Sequence, residues 1–214
     1  MTMFGDPKLE AYINEHSTQE DELLQELNRQ THLKMLNPRM ISGHLQGRFL
    51  EMLSRMIKPA RILEIGTYTG YSAICLGRGL VPGGVLHTIE INDEIKDFAR
   101  DFFRRAGLGK SIIQHTGNAI DIIGRLNDSF DLVFIDGDKA EYPDYLTMVR
   151  PKLNAGGFLI ADNVLWNNKV VNKANLSDPS TAGIDSFNKK ISTDRAMETV
   201  ILPVRDGLLM ARKL

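Results

Sequence analysis

Two short stretches hold the residues best suited to chemistry, LVFIDGDKAEY (Leu132 to Tyr142) and FLIADNVLW (Phe158 to Trp166). Each is an apolar run that breaks off in acid, as a buried strand does on reaching the carboxyl edge of a parallel sheet, where α/β proteins place their ligands. If the two strands are neighbours, Asp136, Asp162 and Asn163 emerge together. Three oxygen donors at one place suit a hard divalent cation. Mg²⁺ takes six oxygens and keeps several positions for water or substrate, and Mn²⁺ or Ca²⁺ would accept the same donors. Zinc is disfavoured: no Cys or His lies nearby at zinc-like spacing, and His16, His32, His44, His87 and His115 are scattered. Lys139, in the loop after Asp136, could take a proton from a hydroxyl already acidified by such a cation. The plainer alternatives are that strand-end aspartates cap turns and that Lys139 is a surface lysine. The adjoining Asp162-Asn163 and the closeness of Lys139 weigh toward a site.

A second constellation lies upstream in ILEIGTYTGYSA (Ile62 to Ala73), a strand, a glycine-bearing turn and a helix start. Gly66 and Gly70 let the backbone bend sharply and a ligand approach it closely. Their spacing is not that of the dinucleotide fingerprint, whose closer glycines bring amides against a pyrophosphate. Glu64 just ahead of the turn would repel a pyrophosphate but suit a sulfonium or an α-ammonium group, which favours S-adenosylmethionine over NAD. Glu90 ends the next strand at about the 20-residue distance where an acid accepts bonds from ribose hydroxyls. Its alternative is an acid opening a helix, because Asn92-Asp93-Glu94 is also a good helix start. Gly117-Asn118-Ala119 would meet an adenine edge or simply begin a helix.

The elements that must carry these groups follow from the hydrophobic pattern. Up to about Ile57 the chain reads as helices, with a capping box at Ser17-Thr18-Gln19-Glu20, then Leu23, Leu24, Leu27, Leu33 and Leu36 at helical spacing. After Pro38 a helix carries Leu45, Phe49, Leu53, Met56 and Ile57 on one side, a stripe most simply read as core packing. From Ala60 strands and helices alternate, which argues for a doubly wound sheet. Strands are expected at Arg61–Ile65, Val85–Glu90, Ser111–His115, Phe130–Ile135, Phe158–Ala161, Thr199–Val204 and Leu208–Lys213. Helices fall near Thr69–Gly79, Asp93–Ala106, Ala119–Leu126, Tyr142–Leu153 and Thr181–Thr193. Asp206-Gly207 is the strongest hairpin signal, so the last two strands should pair antiparallel. The long irregular piece from Asn163 to about Ser180, rich in Asn, Lys and Ser, reads as a functional or a disordered loop.

Composition narrows the classes. The 214 residues fit one domain, residues 1–57 adding helices to an α/β core over 60–214, and the net charge of −1 with both signs interspersed gives no electrostatic case for nucleic acid or an anionic membrane. A small molecule is the better partner. The lone Cys75 falls in a predicted helix, where a buried inert thiol is expected. No signal core or membrane span is visible, which points to the cytoplasm.

Taken in order, MISGHLQGRFL, ILEIGTYTGYSA, FIDGDKAEY and IADNVLW resemble the cation-dependent catechol and caffeoyl-CoA O-methyltransferase family, over a stretch from about Met40 to the end. The resemblance implies a class I methyltransferase fold of seven strands with a terminal antiparallel hairpin. It also implies methyl transfer from S-adenosylmethionine to one oxygen of a vicinal aromatic diol, such as a catechol, flavonoid or phenylpropanoid. By it, Asp136, Asp162 and Asn163 are metal ligands and Lys139 the general base. Met40, Ser42, Glu64, Gly66, Tyr68, Ser72, Glu90, Ala119, Asp136 and Asp138 would line the cofactor site, and Trp166 would face the substrate unless it is a core residue. Gly137 departs from the alanine often found there, and Ala119 stands where catechol enzymes carry serine. Proteins resembling this one are usually homodimers. Two rivals stand beside this reading: an NAD-dependent oxidoreductase on a related sheet, which has no use for the metal ligands, and a non-catalytic S-adenosylmethionine-binding protein, which would tolerate loss of Lys139.

Overall fold

The computed structural model describes residues 6–214. Strands β1 (Arg61–Ile65), β2 (Val85–Glu90), β3 (Ile112–Thr116), β4 (Phe130–Ile135) and β5 (Leu153–Asp162) run parallel, and β6 (Met197–Leu202) and β7 (Leu208–Lys213) close the sheet as an antiparallel hairpin. The order β3-β2-β1-β4-β5-β7-β6 reverses direction between β1 and β4, and a crevice opens at such a reversal. Class I methyltransferase topology is therefore what the alternating pattern forms.

Each central strand is apolar on both faces because helices cover both. Ile62, Leu132, Phe134 and Ile160 pack on one side against Leu24, Leu27, Leu50, Ile74 and Phe103, from α2 (Glu22–Lys34), α3 (His44–Ile57), α4 (Tyr71–Gly77) and α5 (Lys96–Arg105). Leu63, Val133, Ile135 and Leu159 pack on the other side against Ile123, Tyr142, Tyr145 and Phe187, from α6 (Ala119–Arg125), α7 (Tyr142–Val149) and α8 (Pro179–Ser192). This is the continuous-hydrophobic signature of a parallel sheet covered twice.

The N-terminal helices differ in detail from the pattern read above. Helix α2 is capped by Asp21, whose carboxylate accepts from Leu24 N at 3.0 Å, not by the Ser17 box. Ser17 instead donates back to Ile13 O, and Glu20 accepts from the Tyr71 hydroxyl. Leu33 and Leu36 are exposed, 68% and 99%. The apolar stripe of α3 packs on the core through Phe49, Leu53 and Ile57, while Met56 at its end is 75% exposed. Deeper still lie Gln46, Gly47, Leu50, Glu51 and Ser54, which the stripe did not include. Buried Glu51 meets Arg48, Arg55 and Arg78, and Arg78 also pairs with Asp21, tying α2, α3 and α4 together. Helix α1 (Pro7–Glu15) buries none of its residues.

Elsewhere the boundaries move for local reasons. Pro151 follows the early end of α7, and the chain continues as a 3₁₀ turn, so β5 begins at Leu153 and not at Phe158, with a bulge opposite β4. Asp178 caps α8, accepting from Thr181 N at 3.1 Å, so that helix starts at Pro179. The closing hairpin forms, but over a five-residue turn, Pro203 to Gly207, in which Arg205 and Gly207 adopt left-handed backbone. The irregular stretch after β5 holds two short 3₁₀ turns, Lys169–Val171 and Lys173–Ser177. No helix among the described residues is long and apolar enough to cross a membrane.

Candidate active site

Parallel pairing of Ile135 with Ala161 puts Asp136 and Asp162 one step beyond matched positions, at adjacent strand ends. Lys139 Nζ donates to Asp136 Oδ1 at 2.8 Å and to the Tyr142 hydroxyl at 2.7 Å, and that hydroxyl lies 2.9 Å from the Asp162 carbonyl, which accepts from it. Lys139 is nearly buried, its ammonium also facing the Tyr142 ring at 4.8 Å. It rides on a 3₁₀ turn, Lys139–Glu141, that packs directly against α8. Any side chain at Gly183 would collide with the Lys139 carbonyl, so the glycine is what lets the helix close on the turn.

The Asp162 carboxylate is held at both oxygens, Oδ1 by Asn163 N at 2.7 Å and Oδ2 by Gln46 Nε2 at 2.7 Å. Burial pushes the Asp136 carboxyl up to about 6; the Lys139 ammonium works against this and the charge of Asp162 adds to it. Asn163 turns the chain away from the sheet in left-handed backbone, φ 59°. Among the described residues no three His, Cys, Asp or Glu side chains gather at metal-binding distance. A cation here would therefore rest on two carboxylates and one amide oxygen. That donor set fits a hard divalent ion.

Across the crevice, the first glycine turn abuts the acid pair. Gly66 has φ 99° and any Cβ on it would collide with the Asp136 carbonyl, so only glycine lets the β1 turn pass there. Gly66 N and Thr67 N donate to Ile89 O, knitting the turn to the end of β2. Glu64 beneath it is fully buried. Thr88 Oγ1 donates to its Oε2 at 2.5 Å, yet its Oε1 has no partner among the described residues. Burial pushes its carboxyl up to about 8, against the hydroxyls of Ser72 and Thr88, which pull it down. An orphaned buried carboxylate oxygen is costly unless a donor reaches it, so this pocket fits a cationic group supplied by a ligand.

The remaining residues singled out from sequence are distributed around this turn. Glu90 accepts from Tyr68 N at 2.7 Å and from Asn92 N at 3.0 Å, and Asn92 itself caps the following 3₁₀ turn. The Tyr68 hydroxyl donates to Asn37 O at 3.1 Å, drawing the turn toward the 3₁₀ segment Pro38–Met40; Met40 is largely exposed and Ser42 buried. Ser72 is buried in the first turn of α4. Ala119 is the buried first residue of α6, whose cap is Asn118. Asp138 is exposed and caps the Lys139 turn through Ala140 N. Trp166 is half-buried, packed on the core beside β5, with φ 47°. Cys75 is buried and burial pushes its thiol up, so it stays an inert core residue.

Four participants escaped the sequence reading: Tyr142, Gln46, Thr88 and Arg205. Tyr142 lies inside the FIDGDKAEY motif and Gln46 inside MISGHLQGRFL, so both were within reach of the motifs, whereas Thr88 and Arg205 carried no such signal. Arg205 and Gln46, with Ser42, His44, Leu165 and Asp206, line a cleft of about 590 Å³ between the N-terminal segment and the loops after β5 and β6.

A family model described as O-methyltransferase matches residues 14–214, a span that begins well before Met40. A catechol O-methyltransferase from Niastella koreensis is 34% identical over 175 residues, covering 78% of this chain and 79% of that protein. A caffeoyl-CoA O-methyltransferase from Petroselinum crispum is 30% identical over 219 residues, covering 96% and 90%. Among solved structures, the O-methyltransferase from Bacillus cereus in complex with SAH superposes with TM-score 0.89 at 30% identity, covering 97% of each chain. The O-methyltransferase TomG from Streptomyces achromogenes in complex with SAM gives TM-score 0.91 at 29% identity, covering 100% and 99%.

Proposed function

Because this chain belongs to the O-methyltransferase family, we propose that it transfers the methyl group of S-adenosylmethionine to one oxygen of a vicinal aromatic diol, with a divalent cation held by Asp136, Asp162 and Asn163. The family assignment removes the NAD oxidoreductase reading. The observation that carries the proposal is the meeting, at the sheet's reversal point, of the Lys139–Asp136–Asp162 cluster and the Gly66 turn with its unpartnered Glu64 oxygen. The curated relatives act, by name, on catechol and caffeoyl-CoA, and two structural neighbours were solved with SAH and SAM.

In this reading Glu64 takes the α-ammonium group of the donor, Glu90 the ribose, and Ser72, Gly66, Tyr68, Ser42, Met40, Ala119, Asp136 and Asp138 complete the cofactor's surroundings. Asp136, Asp162 and Asn163 would hold a divalent cation, Mg²⁺ or else Mn²⁺ or Ca²⁺, which would supply the charge that favours ionisation of a hydroxyl brought to the site. Lys139 Nζ, as the neutral amine, takes the hydroxyl proton and becomes the ammonium. The oxygen's freed electron pair then forms the bond to the methyl carbon as the carbon–sulfur bond breaks, the pair of that bond staying on sulfur as a neutral thioether. Tyr142 keeps Nζ aimed at the acid pair, and Trp166 borders the acceptor. Holding both reactants in line can supply several powers of ten in rate. The protein works in the cytoplasm, where a lone reduced cysteine needs no partner. It pairs as a homodimer, and α1, none of whose residues is buried, offers a face for the partner.

The test is a matched series of diol, monophenol and mono-methyl ether with saturating labelled donor and Mg²⁺, read by mass spectrometry. A diol fills two coordination positions and a monophenol one, so the diol reacts orders of magnitude faster and gains one methyl group. Equal rates for diol and monophenol would overturn the chelation mechanism.

A further inference from the structure

We infer that Gln46 and Arg205 are positioning residues that hold the Asp162 carboxylate ready for its cation. The inference rests on the cation reading above. Gln46 is a fully buried amide on α3, and Asp162, 116 residues on, is 3% exposed. Gln46 Nε2 donates to Asp162 Oδ2 at 2.7 Å, and Gln46 Oε1 accepts from Arg205 Nη1 at 2.5 Å. The amide's orientation follows from its two neighbours: an ionised carboxylate can only accept and a guanidinium can only donate, so nitrogen must face Asp162 and oxygen must face Arg205.

Arg205 also donates to the Ser42 carbonyl, and among the described residues no carboxylate lies within ion-pair distance of it. One guanidinium thus links the β6–β7 turn, the segment leading into α3 and, through Gln46, the acid at the end of β5. Arg205 does this from left-handed backbone, φ 53°, a conformation that costs any residue but glycine. Glycine would suit the turn better. The arginine's use must lie in its side chain.

With Asn163 N on the other oxygen, Asp162 has one donor per carboxylate oxygen. The plane of the carboxylate is fixed, and each oxygen keeps a second lone pair. Partners that orient a metal ligand in this way typically matter 10- to 100-fold in metal affinity.

The test uses the full chain, without donor or acceptor, titrated with Mn²⁺ and read by electron paramagnetic resonance. Gln46→Met keeps length and volume and loses the donor; Arg205→Gly loses the guanidinium while relieving the backbone. Expected is a fall in Mn²⁺ affinity of about 10- to 100-fold for Gln46→Met and a smaller, several-fold fall for Arg205→Gly. Raised Mg²⁺ should restore turnover in both, a rescue that a purely structural role would not give. Arg205→Gly sits in a surface turn and keeps the test open should Gln46→Met fold poorly. Unchanged Mn²⁺ affinity in both folded variants, beside clear binding by the unaltered chain, overturns the inference alone. Absence of Mn²⁺ binding by the unaltered chain overturns the cation reading and this inference with it.

Discussion

Two buried carboxylates, Asp162 and Glu64, lie on opposite sides of the point where the sheet reverses, and the fold treats them oppositely. Asp162, at the end of β5, has a donor on each oxygen before any ligand arrives. Glu64, in β1, has one oxygen bonded by Thr88, and the other, with the Ser72 hydroxyl close to the carboxyl, has no hydrogen-bond partner among the described residues. Preorganisation at the first and a standing penalty at the second are two ways to prepare for positive charge. A fixed ligand cage suits a small ion with strict geometry. An unsatisfied acid suits a partner that brings its own hydrogen-bond donors, because binding removes a cost the empty protein bears. On the function proposed above, acceptor chemistry falls to the β4–β5 side and recognition of the donor's ammonium group to the β1–β2 side.

The heaviest blow to that division is Asp162→Ala. A Lewis-acid contribution of several kcal/mol, at about 1.4 kcal/mol per tenfold, puts the loss in kcat/KM at about 10³-fold. Chelation should do the same to the unaltered protein, with Mg²⁺ restoring it. Affinity for S-adenosylmethionine, measured by calorimetry, should survive, since Glu64 stands on the other side. Full turnover in excess chelator would remove the cation from the mechanism.

Lys139→Ala comes next. Loss of a general base costs about 10²-fold or more in turnover, while acceptor affinity should change little. Lys139→Arg should not rescue it, because a guanidinium stays protonated and does not fit the contact with the Tyr142 hydroxyl. A variant with unchanged kcat would make Lys139 a structural counter-ion of Asp136.

How much of this was legible beforehand follows the same divide. Strand ends with an acid after an apolar run are readable because burial and its interruption are written in consecutive residues. Asp136, Asp162, Glu64 and Glu90 were found in this way, and β1, β2, β4 and β7 with them at the expected bounds. Gln46 and Arg205 were not, since their partners lie 116 and 159 residues away in sequence and neither breaks a local pattern. The apolar stripe on α3 was legible and packs on the core through Phe49, Leu53 and Ile57, but the burial of Glu51 beside it was not, because its partner Arg78 arrives only through tertiary packing. Glu64 was visible as an acid, but its bare oxygen was not, because satisfaction of a polar group is a property of the packed interior.

That bare oxygen gives the smallest effect and the sharpest one. Burial lifts the Glu64 carboxyl from 4.5 to about 8, so the ligand-free protein carries it protonated near neutrality. A group whose folded value is raised contributes its stability below the unfolded value and loses it as pH rises through the folded one. The thermal midpoint of the empty protein should thus decline between about pH 4.5 and pH 8 through Glu64. A ligand that places an ammonium group against the ionised carboxylate must displace the proton, so its affinity should strengthen as pH rises toward 8, by at most tenfold per pH unit, and level off above. Calorimetry at pH 7 in buffers of different ionisation enthalpy should detect the released proton. Glu64→Gln keeps the shape, removes the titration and should flatten both curves. S-adenosylmethionine binding that is independent of pH from 6 to 8 in the unaltered chain would mean that Glu64 stays neutral in the complex and that the donor's ammonium group is held elsewhere.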